Sequence, residues 1–167
     1  MNKGVTYAGD LRIYSVPSAL VAHVEWAINQ LLGQSHQFDW IPQPISPGSF
    51  GLEFGWKLNK SIAAKLAISL KGWHFIRFEV RENNSRGSEG TLFRCTPDLG
   101  LHQVTTGSTG DVMIPENQIR NLIKLAMSQK KLQSTLENAI GAEWDEELEP
   151  FRIALAERGQ ETLSQIG

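Results

Sequence analysis

Residues 73–96, W-H-F-I-R-F-E-V-R-E-N-N-S-R-G-S-E-G-T-L-F-R-C-T, decide how the rest of the chain folds. The first part alternates in type: Ile76, Phe78 and Val80 share one face, and charged side chains share the other. Because successive side chains of a strand point to opposite faces, this alternation predicts a strand with one buried face and one face in water.

The rest of this stretch predicts the turn and the partner strand of a hairpin. The turn is indicated by residue types that favour turns, namely Asn83, Asn84, Gly87 and Gly90. Phe93 and Cys95 then share one face of the second strand. We therefore expect a long antiparallel hairpin in a central sheet, with the other elements covering its apolar face.

The segments before the hairpin alternate between strand and helix patterns. They are a strand at 11–14, a helix from Ser15 to about Leu32, strands at 36–41 and 50–56, and a helix ended by Gly72. This β-α-β-β-α-β order is that of a ferredoxin-like domain. The hairpin extends the sheet, and helices follow from Pro115. The sequence thus predicts an α+β fold with a largely antiparallel sheet, in a single domain spanning residues 1–167.

The composition argues against several classes of protein. The chain has 167 residues, a net charge of −2 and 41% hydrophobic residues, which is typical of a globular domain. It has no apolar run near the ~20 residues of a membrane span, and its first residues lack the apolar core of a signal peptide. A single cysteine, Cys95, excludes an internal disulfide. We therefore expect a cytoplasmic protein that does not bind a membrane.

The predicted third strand gives a weak indication of RNA binding. Phe50, Phe54 and Trp56 share one face, as do the base-stacking aromatic residues of RNA-recognition modules. Two observations oppose this interpretation: the net charge is negative, whereas backbone binding requires a basic surface, and Leu52 on the same face suits a covered core. We predict that the protein does not bind nucleic acid.

The densest charge in the chain lies in A-E-W-D-E-E-L-E-P-F-R, residues 142–152. In a functional interpretation the acids dock on a basic partner protein, with aromatic residues as anchors. In a structural interpretation the acids lie at the positive end of a helical turn, Leu148 packs inward and Pro150 ends the turn. The candidate partner-binding residues are Trp144, Asp145, Glu146, Glu147, Glu149, Phe151 and Arg152.

The sequence shows no catalytic, metal-binding or cofactor-binding constellation. The four histidines lack ligand spacing, the glycine-rich run at 107–111 lacks a phosphate-binding lysine, and Cys95 falls on the buried side of its strand. His23 and Trp26 on the first helix are the candidates for a pocket between helices and sheet. We predict no catalytic residue, no metal and no cofactor, and enzymatic activity stays an open question that this pattern disfavours.

Several blocks make the sequence similar to an actinobacterial family of uncharacterised proteins, a domain-of-unknown-function family. They include S-x-P-S-A-L-x-x-H-V-E-W-A at 15–27, W-x-P-Q-P at 40–44 and W-D-E-E-L-E-P-F-R at 144–152. The resemblance implies no established activity or cofactor. It implies an accessory or regulatory role beside type II fatty-acid synthesis, since genes of the family often neighbour that pathway's genes. Tyr14 and Val21-Ala22 depart from the family pattern, which often has His and Cys-Pro there, and this weakens any catalytic role for these positions.

Two hypotheses about function follow. The leading hypothesis is a non-catalytic accessory or regulatory domain that binds another protein through the acidic segment at 142–152. In this case solid packing leaves no hollow beside the sheet. The alternative is a small-molecule-binding domain or a small enzyme, with its pocket near His23 and Trp26.

Overall fold

A computed structural model describes residues 4–83, 85 and 89–166 of the chain. Within this part the strands form one antiparallel sheet in the spatial order β2-β3-β1-β4-β5-β6-β7. The strands are β1 (Tyr7–Pro17), β2 (Ile41–Pro42), β3 (Ser49–Leu58), β4 (Arg77–Glu82), β5 (Gly90–Thr96), β6 (Gly100–Thr106) and β7 (Val112–Met113). The helices are α1 (Val21–Leu32), α2 (Ala63–Lys71), α3 (Glu116–Leu125), α4 (Gln129–Ile140) and α5 (Ala142–Ile166). The predicted α+β class with a largely antiparallel sheet is confirmed.

The predicted hairpin is formed by β4 and β5. Phe78 lies opposite Cys95 and Val80 lies opposite Phe93, so the apolar residues of both strands share a face. The turn predicted at 83–90 includes Asn84 and Gly87, which lie outside the described residues. The pairing itself is fixed by the alternation, because a slip of one residue would turn both apolar sets to the other face.

The hydrophobic core lies between this face of the sheet and helices α1 and α2. Leu11, Ile13, Phe78 and Val80 are fully buried there. Val24 and Ile28 of α1, with Leu66, Ala67 and Leu70 of α2, complete the cluster. Apolar residues at helical spacing give each helix one apolar stripe, and that stripe needs an apolar partner surface. In the described part of the chain, no helix is long and apolar enough to span a membrane.

The opposite face of the sheet is covered at β4 and β5, although the sequence predicted that it is in water. Helix α5 lies across it, and Glu79 and Arg94 retain only 8% and 6% of their exposure. The prediction was wrong because Pro150 was taken to end a helical turn. In the structure α5 continues through Pro150 for 25 residues. Contacts on both sides of Pro150, from buried Leu148 to buried Ala154, hold the helix against the sheet despite the missing N–H.

Three element boundaries also differ from the prediction. Ser15 and Pro17 were expected to begin a helix, but they belong to β1, which pairs with β3 as far as Pro17. The helix begins at Val21, after a short 3-10 turn. The strand predicted at 36–41 is reduced to Ile41–Pro42, because only those two residues pair with β3.

Candidate functional site

A row of charged residues crosses the sheet beneath α5. Each of five neighbouring strands contributes one member, and adjacent members lie opposite each other in register: Glu53, Arg12, Glu79, Arg94 and His102, from β3, β1, β4, β5 and β6. The signs of the charges alternate from Glu53 to Arg94. Cross-strand neighbours of opposite charge stabilise a sheet, so this row is favourable even before α5 covers it.

Helix α5 adds a second layer of charged groups above the row. The carboxylate of Glu79 lies 3.4 Å from Arg94 Nε and also accepts a hydrogen bond from Arg152 Nη2. Asp145 lies 3.2 Å from Arg94 Nη2 and 2.9 Å from Arg152 Nη2. Two arginines and two acids are therefore interleaved, which satisfies the rule that buried charges need partners. We call Tyr14, Glu79, Arg94, Asp145 and Arg152 the polar cluster.

A bulge in β1 places Tyr14 in the polar cluster. The register of β1 shifts between Ile13 and Val16, so an extra residue is inserted there. The Tyr14 hydroxyl donates a hydrogen bond to Glu79 Oε2 and accepts one of 3.3 Å from Arg152 Nε. Gln43 Nε2 donates to the carbonyl oxygen of Tyr14 at 2.6 Å and so secures the bulge.

The surroundings fix the protonation states of two members of the cluster. Burial raises the pKa of the Tyr14 phenol, and the negative charge of Glu79 raises it further, so Tyr14 stays neutral. For Arg152, burial acts to lower the pKa, but the hydrogen bond and charge of Glu79 outweigh it and the pKa is raised. Tyr14 therefore donates a fixed proton, and Arg152 is a permanent cation. Neither is poised to transfer protons at neutral pH.

A groove of about 1110 Å³ opens beside the polar cluster. Its floor is formed by the backbone of β1 and β3, whose Ile13 and Leu52 side chains point into the core on the other face, one side by Trp40 and β2, and the other side by the second half of α5. Arg12, Arg152 and Arg158 line it together with Asp39 and Glu53. The groove therefore combines apolar side chains on its two sides, among them Trp40 and Leu155, with charged groups, an arrangement typical of small-molecule sites.

Gly51 lets α5 approach the floor of the groove. A Cβ atom at this position would lie 2.4 Å from Leu155 Cδ1 and 3.0 Å from the Ile13 carbonyl oxygen. The first distance is shorter than real Cβ contacts and the second is tighter than most, so the Leu155 side chain would have to move. The absence of a side chain at Gly51 therefore fixes how closely α5 packs, and with it the width of the groove.

The residues predicted to bind a partner protein mostly make contacts within the chain. Asp145 and Arg152 belong to the polar cluster, and Glu147 lies 3.3 Å from Arg77. The remaining placements are as follows: Trp144 Nε1 donates to the Gly100 carbonyl oxygen at 3.0 Å, Arg77 lies 4.5 Å over the Phe151 ring, Glu149 accepts from Arg152 at 3.0 Å, and Glu146 is exposed. The inward packing predicted for Leu148 is confirmed.

His23 and Trp26, the candidates for a pocket in the alternative hypothesis, lie away from the groove. His23 is exposed and stacks on Trp73, with ring centroids 5.7 Å apart, and Trp26 is 66% exposed. Both lie on the outer side of α1, and neither lines the groove. Core side chains fill the space between α1 and the sheet. The expectation that no hollow adjoins the sheet was also wrong, because the groove lies beside α5.

Nucleophiles and metal ligands do not converge on the groove. Cys95 is buried on the core face, and burial raises the pKa of its thiol to about 11. Within the described ranges, no group of three His, Cys, Asp or Glu residues could hold a metal ion. In chemical terms the arrangement can bind and orient a ligand.

Sequence reasoning did not find Tyr14, Glu79 and Arg94 as members of a site. The available signal was the charged alternation in β4 and β5, which also describes an ordinary solvent face. Only the pairing of distant strands and the course of α5 distinguish a covered polar cluster from a face that is exposed to solvent.

No curated protein and no solved structure matches the chain significantly. A family model described as "Protein of unknown function (DUF3145)" matches residues 11–165, which include every residue of the polar cluster and of the groove lining. The predicted resemblance to a domain-of-unknown-function family is confirmed at this level. The chain therefore belongs to the DUF3145 family of proteins of unknown function.

Proposed function

We propose that the protein is a non-catalytic binding domain that holds a small amphipathic acid in the groove beside α5. The groove itself is the observation that carries this proposal, because it is large enough for a small molecule and combines apolar and cationic groups. Trp40, Ile41 and Leu155 would contact the apolar body of the ligand. Arginine side chains would bind its acidic end.

The cationic groups favour an anion over a neutral ligand. Three arginines line the groove against two acidic residues, Asp39 and Glu53. Arg12 Nε lies 3.1 Å from Glu53, and both side chains are substantially exposed. Exposed ion pairs contribute roughly 0–1 kcal/mol, so a ligand carboxylate would replace Glu53 as the partner of Arg12 at little cost. Arg12 is therefore the residue we assign to the ligand's acidic end.

The fixed charges of the polar cluster support binding rather than catalysis. Tyr14 and Arg152 line the groove, but the hydrogen bonds to Glu79, Asp145 and Glu149 already engage them. They form a rigid wall, and rigid walls reduce the entropy lost on binding. Asp145, Glu149 and Arg152 of the acidic segment are engaged in these contacts, so we place the ligand site in the groove rather than on residues 142–152.

The finer predictions from the sequence enter this proposal as follows. A ferredoxin-like arrangement of the first half is supported by the spatial order β2-β3-β1-β4 with antiparallel pairing. A single domain is supported by the one continuous sheet of the described residues. The cytoplasmic accessory role beside fatty-acid synthesis rests on the resemblance alone, and an acyl carboxylate belongs to the ligand class proposed for the groove.

Fluorescence titration tests the site directly. The probe is dansyl-labelled undecanoic acid, followed by dansyl emission and by quenching of Trp40, which lines the groove. Ala156→Trp fills the groove from α5, and we expect it to weaken binding by at least about tenfold. Glu157→Trp adds the same side chain at the next position, which lies outside the groove lining, and should leave the affinity unchanged.

A second pair of measurements tests the charge. Arg12→Met should weaken binding of the carboxylate probe by about tenfold and leave binding of its methyl ester unchanged. Equal affinities of the wild type and Ala156→Trp for the carboxylate would show that the probe binds elsewhere and would overturn the proposal. Equal loss for acid and ester in Arg12→Met would overturn the assignment of Arg12. Circular dichroism confirms that each variant is folded.

A further inference from the structure

The α3–α4 connection exposes apolar side chains at the surface of the protein. Leu125 is 76% exposed and Met127 is 96% exposed. Ile123, one turn earlier on α3, is also exposed, and α3 and α4 contain no buried residue. The connection is well defined, because Ser128 Oγ accepts a hydrogen bond of 3.2 Å from the Lys131 amide and caps α4. We call Ile123, Lys124, Leu125, Met127, Lys130 and Lys131 the helical tip.

The exposure of these residues has a physical cost. An exposed cluster of large apolar residues on a water-soluble surface marks an interaction site more often than a chance arrangement. Helix α3 has ten residues and packs against α4, but none of its residues is fully buried, and so short a helix gains stability from further packing contacts. A partner that covers Leu125 and Met127 would supply such contacts.

The charge of this region indicates the chemistry of the partner. Residues 116–140 contain four cationic and two anionic side chains, in a chain whose net charge is −2. Lys124, Lys130 and Lys131 lie within four residues of Met127 in the sequence and are exposed. The region is therefore a local positive surface on a negative protein. Electrostatic complementarity favours an acidic partner and orients its approach.

Two other occupants fit less well. Residues 94–143 contain no Phe, Tyr or Trp, so of the Trp, Phe and Leu residues that helices at membrane interfaces insert, only Leu is present here. A second copy of the chain, bound through the same surface about a two-fold axis, would bring lysines against lysines. Methionine and leucine adapt well to the apolar stripe of a helix. We propose that the helical tip docks an acidic amphipathic helix of a partner protein.

Fluorescence anisotropy with designed peptides tests this docking surface. The probe is a fluorescein-labelled amphipathic helix with a leucine stripe and a glutamate-rich polar face, and its counterpart has lysine at every glutamate position. We expect the acidic peptide to bind at least about tenfold more tightly than the basic one. Its affinity should also fall with added salt, because screening shortens the reach of the lysine charges.

Matched substitutions locate the contact. Met127→Asp should reduce affinity for the acidic peptide by about tenfold or more, whereas Asn121→Asp, an exposed substitution on α3 with the same charge change, should have a much smaller effect. Equal loss in the two variants, equal binding of the two peptides, or binding to phosphatidylglycerol vesicles but not to peptide would each overturn the proposal. So would a concentration-dependent dimer that Met127→Asp abolishes. The groove plays no part in these measurements.

Discussion

On one face of the sheet, α1 and α2 pack apolar side chains against Phe78 and Val80, whereas on the other face α5 lies across the charged residues Glu79 and Arg94. The two faces are formed by alternate residues of the same strands. Apolar contacts are non-directional, so the first face is filled by whichever side chains fit. Charged contacts depend on geometry, so the second face is closed only where partners meet.

This difference explains why the groove lies on the charged face. Helix α5 is anchored where its Asp145 and Arg152 reach the row beneath. Toward β3 the row ends in Arg12 and Glu53, which are not covered in this way and remain exposed. An apolar face would have recruited more side chains to close this space. A face held by a few fixed ion pairs leaves room for a ligand.

The largest expected effect is on the apolar face. Phe78→Ala should reduce the free energy of unfolding by about 4 kcal/mol, because a fully buried aromatic side chain is lost and a cavity remains. Urea denaturation followed by circular dichroism measures the change. Phe75→Ala is the control, since Phe75 is exposed on the same segment, and a change within about 0.5 kcal/mol is expected there. Similar losses in both variants would contradict the assignment of the core.

On the charged face, loss of one partner should cost slightly less. Glu79→Ala takes from the buried Arg94 and from Arg152 the acid that they share, so that Asp145 alone remains between them, and we expect a loss of about 3 kcal/mol. The double variant Glu79→Leu/Arg94→Met removes both charges, and its stability should return to within about 1 kcal/mol of the wild type. A full return of stability is not expected, because Asp145 and Tyr14 each lose one partner in the double variant. If the double variant is less stable than Glu79→Ala, directional pairing does not explain how this face is closed.

The apolar half of this comparison was predictable from the sequence. Alternation at Ile76, Phe78 and Val80 identifies the strand, its buried face and its hairpin partner without any tertiary information. Helix α1 ends at Leu32, as the sequence predicted, and Gly33 follows it with a positive φ. These features depend on residues close together in the sequence.

The charged half was not predictable, because its partners are distant in the sequence. Glu79 meets Arg152 across 73 residues and Tyr14 across 65. A charged residue in a strand and a charged residue in a helix give no local sign that they pair. Pro150 added to the difficulty, since proline inside a helix is rare and its usual meaning is an end. The groove depends on these two distant pairs and on the course of α5 through Pro150. The alternative hypothesis from the sequence therefore had its pocket at His23 and Trp26 instead.

A smaller effect tests how α5 fits against the floor of the groove. Gly51→Ala places a methyl group against Leu155, and we expect a loss of about 2 kcal/mol as α5 is displaced. Gly55→Ala is the matched control, because the nearest atom to a Cβ atom there is 3.7 Å away and the position is exposed. Thermal unfolding compares the two variants. Equal stability of both would show that α5 is not closely packed on β3.

The smallest effect concerns the end of the row at His102. Its ring stacks on Trp144 at 4.6 Å, and burial lowers the pKa of the imidazole below the ordinary value of 6.5. The unfolded chain therefore binds a proton at a higher pH than the folded protein does. As the pH falls below 6.5, the unfolded state gains this proton first and His102 reduces stability.

His102→Phe keeps an aromatic ring against Trp144 and removes the titration. Between about pH 7.5 and about pH 5.5, the urea midpoint of the wild type should fall more than that of His102→Phe. Equal slopes would mean that the proton on His102 is no less favoured in the folded protein than in the unfolded chain. A ring that takes up its proton as easily as in water is not desolvated. In that case α5 would exclude water from the charged face only as far as Arg94 on β5, and His102 on β6 would lie outside the water-excluded part.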